Sequence, residues 1–263
     1  MSYSILMVFA FVFGLILGSF LNVCIYRIPL KKSILTPPSG CPGCGERIKF
    51  YDNIPIISYI ILLGRCRHCH KPISIQYPII ELLTGLLSLS VFVNYYPDYG
   101  QCAALLIFVS ALIVISFIDL SHQIIPDSIS IPGIVAGVIV TIIFNIVSTY
   151  QITWYDSLIG VIGGGGILYI VAAGFEKLTG KEGMGGGDIK LLAMIGAWMG
   201  WRAIPLIILI SSLTGSIIGV VALLMAGKGL RTRIPFGPFL VIGTLVYLFF
   251  GSRIESWYFQ LLQ

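Results

Sequence analysis

Eight long apolar runs divide the sequence and leave it few ways to fold. A run of about 20 apolar residues crosses the bilayer core as an α-helix, because its backbone polar groups then bond within the segment. Only 10% of the 263 residues are charged, against about a quarter in soluble domains. The sequence therefore predicts an all-α polytopic membrane protein. We place the spans at residues 4–26, 79–93, 102–118, 129–147, 157–175, 189–201, 203–226 and 235–251.

The sixth run, residues 189–201, is shorter than the ~20 residues of an ordinary crossing. We expect this helix to be tilted or buried among the others. No cleavable signal peptide is apparent, since the first run ends in Arg27 and not in a small-residue cleavage site. We divide the chain into a first transmembrane helix (1–26), a polar loop domain (27–76) and a multi-helix membrane domain (77–263).

Lys and Arg occur almost entirely in every second loop. All but Arg202 and Arg253 of the 16 lie in or beside the loops between spans one and two, five and six, and seven and eight. Basic residues collect in cytoplasmic loops, so we expect the polar loop in the cytoplasm and both termini outside. The net charge of +5 is then explained by the membrane topology, and it does not indicate binding to nucleic acid. The later two loops contribute Lys177, Lys181, Lys190, Lys228, Arg231 and Arg233.

The polar loop contains two Cys-x-x-Cys pairs. Each pair offers two thiolates on a tight turn, and two pairs complete a tetrahedral zinc site. A reducing cytoplasm favours metal over disulfides, and a small polar segment needs such a staple to fold. The alternatives are free or redox-active thiols, or substitution of a ligand by His68 or His70. We therefore predict a structural Zn²⁺ site formed by Cys41, Cys44, Cys66 and Cys69.

Three aspartates lie at the cytoplasmic ends of the spans. Asp119 ends the third apolar run, Asp127 follows in the next loop, and Asp188 precedes the sixth run. An ionisable group at the edge of the hydrocarbon is a functional-site hypothesis. Two carboxylates that meet in a low-dielectric pocket share a proton and can act as base and acid on one water. This chemistry hydrolyses a peptide bond, provided that folding joins Asp119 and Asp188.

Three glycines precede Asp188, and they could adopt positive φ and let a substrate peptide approach the backbone closely. They are Gly185, Gly186 and Gly187. Other interpretations stay open: the glycines as a hinge, Asp119 as a helix-end residue, and Asp127 or Asp188 as helix N-caps. Gly160 and Gly164, inside the fifth span, have the spacing of close helix packing.

Several motifs occur in one order along nearly the whole chain. They are Gly18-Ser-Phe-Leu-Asn-Val23, Tyr26-Arg-Ile-Pro29, the two cysteine pairs, Asn53-Ile-Pro55, Tyr77-Pro78, Glu81-Leu-Leu, Asp119, Ile125-Pro-Asp127, Gly185-Gly-Gly-Asp188-Ile-Lys190 and Pro235-Phe-Gly-Pro238. In this order the set resembles the type IV prepilin peptidases, bifunctional leader peptidases and N-methyltransferases of pilus and type II secretion systems. His70 departs from the family pattern, which commonly has glycine directly after the second cysteine of the Cys-x-x-Cys pair.

The resemblance implies that Asp119 and Asp188 are the catalytic aspartates and that the four cysteines form the cytoplasmic cysteine domain. It implies cleavage of a basic leader from prepilins or pseudopilins at the cytoplasmic face of the inner membrane. Methylation of the new amino terminus by S-adenosylmethionine is also implied, although no cofactor fingerprint is present. Glu81 is a candidate for amine or cofactor contact, beside a structural role. Asp127 and Glu182 are candidates for attracting the basic leader.

Two functions of other classes are alternatives. In a transporter or channel the boundary carboxylates would form a cation or proton path, but such sites usually lie near the midplane of the membrane. A docking module would use the zinc loop for binding and the helices as an inert anchor. Eight spans and a glycine-rich aspartate loop exceed what an anchor needs.

Overall fold

The described residues of the chain fold mainly into helices, and the long polar loop lies between the first and third of them. The structure, a computed structural model, describes residues 2–146, 152–180, 185–226 and 235–261. The predicted positions Lys181, Glu182, Lys228, Arg231 and Arg233 lie outside these residues. The helices are α1 (Tyr3–Arg27), α2 (Ile57–Ile61), α3 (Gln76–Tyr95), α4 (Tyr99–His122), α5 (Asp127–Ile146), α6 (Trp154–Thr179), α7 (Gly186–Met199), α8 (Ala203–Ala226) and α9 (Gly237–Leu261), with a 3₁₀ turn at Phe50–Asn53.

Seven of these helices are long and apolar enough to cross a membrane: α1, α3, α4, α5, α6, α8 and α9. The predicted sixth span is the exception. It forms α7, which has only 14 residues, and every residue from Leu191 to Met199 is buried. The all-α polytopic fold with about eight membrane helices is therefore confirmed, and the short helix packs among the others as expected.

Helix ends differ from the apolar runs, because a helix continues through polar residues that a hydropathy pattern does not register. Helix α4 extends beyond Ile118 to His122, so Asp119 lies inside the helix and does not end it. Helix α6 likewise begins at Trp154 and ends at Thr179. Its N-terminus has a capping box in which Thr153 and Asp156 satisfy each other's backbone N–H groups.

Two compact units make up the structure, Met1–Val114 and Ile115–Gln263. In the first unit α1 packs on α3 through glycines. A Cβ at Gly14 would lie 2.8 Å from the Gly85 Cα, and one at Gly18 would lie 2.7 Å from the Glu81 Cα. Only glycine permits this approach of two backbones. The three-part domain division drawn from the sequence stays a prediction.

In the second unit α6 packs against α7, also through glycines. Gly160 meets the backbone of Gly196, and a Cβ at Gly164 would lie 2.6 Å from the Leu192 carbonyl oxygen. The predicted packing role of Gly160 and Gly164 is therefore confirmed. Polar bonds add to this contact, since Ser157 Oγ donates to the Ala197 carbonyl at 2.7 Å. Helix α7 consequently has a fixed position within its unit.

Candidate active site and metal centre

Asp119 projects from the last turn of α4 into a buried position. Asp119 is only 5% exposed, and its Oδ2 accepts a hydrogen bond from the backbone N–H of Gly237 at 3.0 Å. Gly237 is the first residue of α9, so the carboxylate lies at a helix N-terminus, where free N–H groups and the helix dipole favour negative charge. A Cβ at position 237 would lie 2.6 Å from this same oxygen, which excludes any other residue without a shift.

Asp188 lies in the first turn of α7. Ile125 lies between the two sites: a Cβ at Gly187 would be 2.9 Å from the Ile125 Cβ, and one at Gly237 would be 3.4 Å from its Cδ1. The two aspartates, remote in sequence, therefore lie in one neighbourhood of the second unit.

The glycines before Asp188 differ from one expectation. Gly185 has φ −72°, and Gly186 and Gly187 belong to α7, so the predicted positive φ is wrong. The segment starts a helix, which requires ordinary helical angles. Close approach is nevertheless found at Gly187, while a Cβ at Gly186 would meet no atom of the described residues within 4 Å. The N-cap residue of α7 is Gly185, and α7 has no side-chain cap hydrogen bond, so Asp188 is not the N-cap of this helix.

Asp127 is paired with Lys190. The lysine Nζ lies 2.7 and 2.8 Å from the two carboxylate oxygens, and both side chains are partly exposed. Asp127 is the first residue of α5, so this ion pair joins the start of α5 to the first turn of α7, two residues beyond Asp188. The carboxylate is thus engaged by a cation, which differs from the N-cap role considered for it.

The four predicted zinc ligands converge in the first unit. Their sulfur atoms all lie within 4.8 Å of one another, and Cys41 Sγ is 3.7 Å from Cys69 Sγ. Four thiolates at 2.3 Å around a tetrahedral zinc would be about 3.8 Å apart. All four are free thiols. This cluster could hold a metal ion, and it is complete without His68 or His70.

The two Cys-x-x-Cys turns, which we call knuckles, share the same backbone hydrogen bond and the same turn conformation. Cys41 and Cys66 each donate an N–H to the carbonyl five residues later, Glu46 and Lys71, at 2.9 Å. The residue after each second cysteine has positive φ, 75° at Gly45 and 55° at His70. The departure at His70 therefore keeps the turn geometry, because the histidine adopts the left-handed conformation that glycine adopts in the first knuckle.

Backbone N–H groups in the knuckles favour thiolates. The Gly43 N–H donates to Cys41 Sγ at 3.4 Å, and it is the main cause that lowers the pKa of Cys41 to about 6. N–H groups of Cys69 and His68 lower the pKa of Cys66. A thiolate is the form that binds zinc, so the turns prepare Cys41 and Cys66 for a cation. Cys44 differs: the Glu46 N–H lowers its pKa, but desolvation and hydrogen bonds to the other thiols raise the pKa to about 11.

Glu81 has a structural contact. Its residue is 7% exposed, and its Oε2 accepts the backbone N–H of Ile56 at 2.8 Å. This bond connects α3 to the polar loop immediately before α2. The cofactor or amine contact considered for Glu81 stays a prediction.

The contacts of Gly237, Ile125 and Lys190 were not predicted from the sequence as parts of a site. Gly237 belongs to the motif Pro235-Phe-Gly-Pro238, which contributed to the family resemblance and was given no role of its own. Lys190 was counted only among the basic residues that indicate which loops face the cytoplasm. A basic residue two positions after a candidate catalytic acid is the signal that could have suggested a partner for Asp127.

Comparison with known proteins gives a consistent result. The model "Bacterial Peptidase A24 N-terminal domain" matches residues 12–95, and "Type IV leader peptidase family" matches residues 106–220. The "Prepilin leader peptidase/N-methyltransferase" of Aeromonas hydrophila is 38% identical over 272 residues, 94% of this chain and 92% of that protein. No solved structure matches.

Two further relatives carry the same name. The protein from Stutzerimonas stutzeri is 39% identical over 275 residues, which cover 95% of this chain and 93% of the relative. The protein from Pseudomonas aeruginosa is 38% identical over 270 residues, with 94% and 91% covered. These matches extend over nearly the full length of both partners and confirm the resemblance drawn from the motifs. The chain belongs to the type IV leader peptidase family.

Proposed function

We propose that this chain cleaves the leader peptide of prepilin-like proteins by an aspartyl-protease mechanism, with Asp119 and Asp188 as the catalytic pair. Membership of the family and the names of the relatives support the peptidase activity. The observation that supports the residue assignment is that these two remote acids both lie near Ile125 in the second unit, Asp119 bonded to Gly237 and Asp188 next to Gly187.

The pair supplies an acid and a base to one water molecule. Two adjacent carboxylates do not both ionise readily, so one proton is shared between them. The ionised carboxylate takes a proton from the water as its oxygen attacks the scissile carbonyl, and the protonated partner donates to the carbonyl oxygen. The tetrahedral intermediate then collapses, the C–N bond breaks, and a carboxyl group returns a proton to the leaving amine.

Neighbouring groups orient this pair. The Gly237 N–H holds one oxygen of Asp119, which leaves the other available to a water or a partner acid. The Asp127–Lys190 ion pair fixes the first turn of α7, from which Asp188 projects. We assign the backbone of Gly185, Gly186 and Gly187 to the approach of the substrate, since the open space at Gly186 leaves room for an extended chain.

We also propose that the chain methylates the new N-terminus. The names of the relatives include N-methyltransferase activity, and S-adenosylmethionine is the methyl donor implied by the resemblance. No residue is assigned to this donor, and Glu81 is a candidate with a structural bond to Ile56.

Zinc has a structural role in this proposal. The four cysteines fit a closed tetrahedral site, which leaves no open position for substrate. Bound there, the ion would hold residues 40–73 together, because its four ligands come from both knuckles. The cysteines themselves do not take part in peptide cleavage.

The protein is a multi-pass membrane protein. We place it in the cytoplasmic (inner) membrane, with the cysteine loop and the aspartates on the cytoplasmic side, where the basic residues are concentrated. Its partners are then a prepilin or pseudopilin and the lipid bilayer, and nucleic acid has no part. No observation favours the transporter or channel alternative.

Substitution of either aspartate tests the catalytic pair. We expect Asp119→Asn and Asp188→Asn each to lower cleavage of a prepilin by about 10³-fold or more, since paired catalytic groups act as a unit. Mass spectrometry of a co-expressed prepilin reports cleavage and methylation together. Asp98→Asn is the matched control, because Asp98 caps the start of α4 through a contact that asparagine retains. Substantial turnover by either catalytic variant would reject the pairing.

A further inference from the structure

The short helix α2 in the polar loop turns its apolar side outward. Ile57, Ile60 and Ile61 are 54%, 63% and 69% exposed, whereas Ser58 is 7% exposed. Residues three and four apart share one face of a helix, so the isoleucines form a single surface. Leu63, 84% exposed, follows directly. A helix facing water would have the opposite arrangement, and this one is typical of a surface that meets an apolar medium.

Polar contacts fix this orientation. Ser58 Oγ donates to the Tyr51 carbonyl at 2.9 Å and accepts from the Ile54 N–H at 3.1 Å. These bonds hold the serine against the 3₁₀ turn that precedes α2. Because the serine side faces the loop, the isoleucine side faces away from it.

A second contact fixes the start of α2 at a position along the membrane helix α3. The N–H of Ile56 donates to Glu81, the sixth residue of α3. At 1.5 Å per residue, Glu81 lies roughly 7.5 Å along the axis from the start of α3. On the neighbouring helix, Asn22 donates to the Tyr77 carbonyl at 3.1 Å. Helix α2 therefore begins beside the ends of two membrane helices, and not out in the aqueous phase.

The apolar surface of α2 continues onto α1. A groove of about 660 Å³ is lined by Ile54 and Ile57 from the loop and by Ile16 and Phe20 from α1. Ile16 and Phe20 are 58% and 45% exposed within a candidate span, as lipid-facing residues are. One apolar surface thus runs from the membrane helix to the loop.

Charge surrounds this surface. Residues 27–75 contain eight Lys and Arg against Glu46 and Asp52, and Asp52 is already bound by Arg67. Lys49 and Arg65 lie on either side of α2 in the sequence, and both are exposed. Basic groups at the cytoplasmic surface are attracted to anionic lipid headgroups.

We propose that residues 54–63 form an interfacial membrane element. Ile57, Ile60, Ile61 and Leu63 enter the boundary between headgroups and acyl chains, while Lys49 and Arg65 contact anionic headgroups. The occupant of this surface is the lipid bilayer itself. The choice of the cytoplasmic leaflet rests on the proposed topology, whereas lipid contact does not depend on the peptidase reaction.

Photolabelling from the lipid tests this contact directly. The full chain with its metal is reconstituted in bilayers of phosphatidylcholine, alone or mixed with phosphatidylglycerol, in which acyl chains carry a photoactivatable group. We expect adducts on the peptide containing residues 57–63 and only background on the exposed polar residues 67–70. Phosphatidylglycerol should increase the labelling, and Lys49→Gln combined with Arg65→Gln should remove that increase.

Serine substitutions sharpen the result. Ile60→Ser with Ile61→Ser should reduce labelling of 57–63 several-fold, while zinc content stays that of the wild type. Ile48→Ser is the matched control, since Ile48 is an exposed isoleucine of the same loop that lies outside α2. Background labelling at 57–63 together with strong labelling of α1 would overturn the proposal. Neither readout requires prepilin cleavage, so failure here is distinct from failure of the peptidase assignment.

Discussion

Gly237 lacks a side chain at the point where Asp119 needs a backbone donor. Its N–H binds Oδ2, and the space that a Cβ would fill is taken by that same oxygen at 2.6 Å. Real Cβ atoms do not approach an oxygen so closely, so a larger residue must move the carboxylate. The identity of residue 237 thereby controls the position of Asp119, the proposed catalytic acid, on another helix.

Gly237→Ala should lower the kcat of peptide cleavage by about 10- to 100-fold, because small misplacement of a reacting group has effects of this size. Gly174→Ala serves as the control, since a Cβ there meets no atom within 4 Å. Single-turnover cleavage of a prepilin peptide in detergent measures both. A Gly237→Ala enzyme with wild-type kcat would contradict the positioning role.

His70 has a conformation that glycine adopts more easily. Its φ of 55° matches the 75° of Gly45 in the other knuckle, and a non-glycine residue in this region loses about 1 kcal/mol or more. His70→Gly should therefore stabilise the loop by up to about 1 kcal/mol, after the larger chain entropy of glycine is subtracted. The measurement is the denaturant midpoint of zinc release.

His68→Gly is the comparison for His70→Gly. His68 lies in the same knuckle without positive φ, so glycine there brings only added chain entropy and should not raise the midpoint. A lower midpoint for His70→Gly than for the wild type would show that the histidine ring contributes more than its backbone angle loses.

At the scale of elements, α7 is the helix whose position matters most. It presents Asp188 at its first turn and is held by α6 through Gly160 and Gly164, while Trp198 Nε1 donates to the Gly133 carbonyl of α5 at 2.8 Å. Backbone contact of this kind leaves little freedom to slide. Precision at the aspartate is therefore a property of helix packing along the whole of α7.

Gly160→Ala should displace α7, since the new methyl group would enter the backbone of Gly196. We expect a loss of about 1–3 kcal/mol in stability, as in other overpacked cores, and a reduced cleavage rate. Gly166→Ala, on the same helix but with open space around it, should change neither. Thermal unfolding and peptide cleavage are measured on both variants, and equal behaviour of the two would refute tight α6–α7 contact.

At the scale of the whole molecule, the two units carry different chemistry. The thiol cluster belongs to Met1–Val114 and the aspartate pair to Ile115–Gln263. In the proposed function the metal would stabilise a loop, and the two acids would perform hydrolysis. Loss of zinc should therefore unfold part of the first unit without removing the helices of the second.

We expect about one zinc per purified chain, and less in Cys41→Ser, whereas Cys102→Ser should retain it because Cys102 lies outside the cluster. Zinc affinity should fall as pH falls, because protons compete for thiolates that the metal needs. Elemental analysis across pH measures both effects. Full zinc content in Cys41→Ser would contradict the four-cysteine site.

The apolar runs predicted the membrane helices well, since lipid demands long apolar segments, and the cysteine spacing predicted a cluster because turns bring such pairs together. The sequence did not indicate that α4 continues past Asp119 or that Gly237 donates to that residue. It also did not pair Asp127 with Lys190. These features depend on where separate helices meet, which no local pattern records. The catalytic assignment itself came from the resemblance of several motifs in order.

The hydrogen bond from Gly237 has a consequence for the order in which the proposed active site is completed during synthesis. The donor lies 118 residues after Asp119, so it is synthesised later than both Asp119 and Asp188. A ribosome-bound chain that already displays both acids still lacks the amide that orients one of them. A chain that ends before residue 237 therefore lacks the backbone bond that positions Asp119, one of the two proposed catalytic acids.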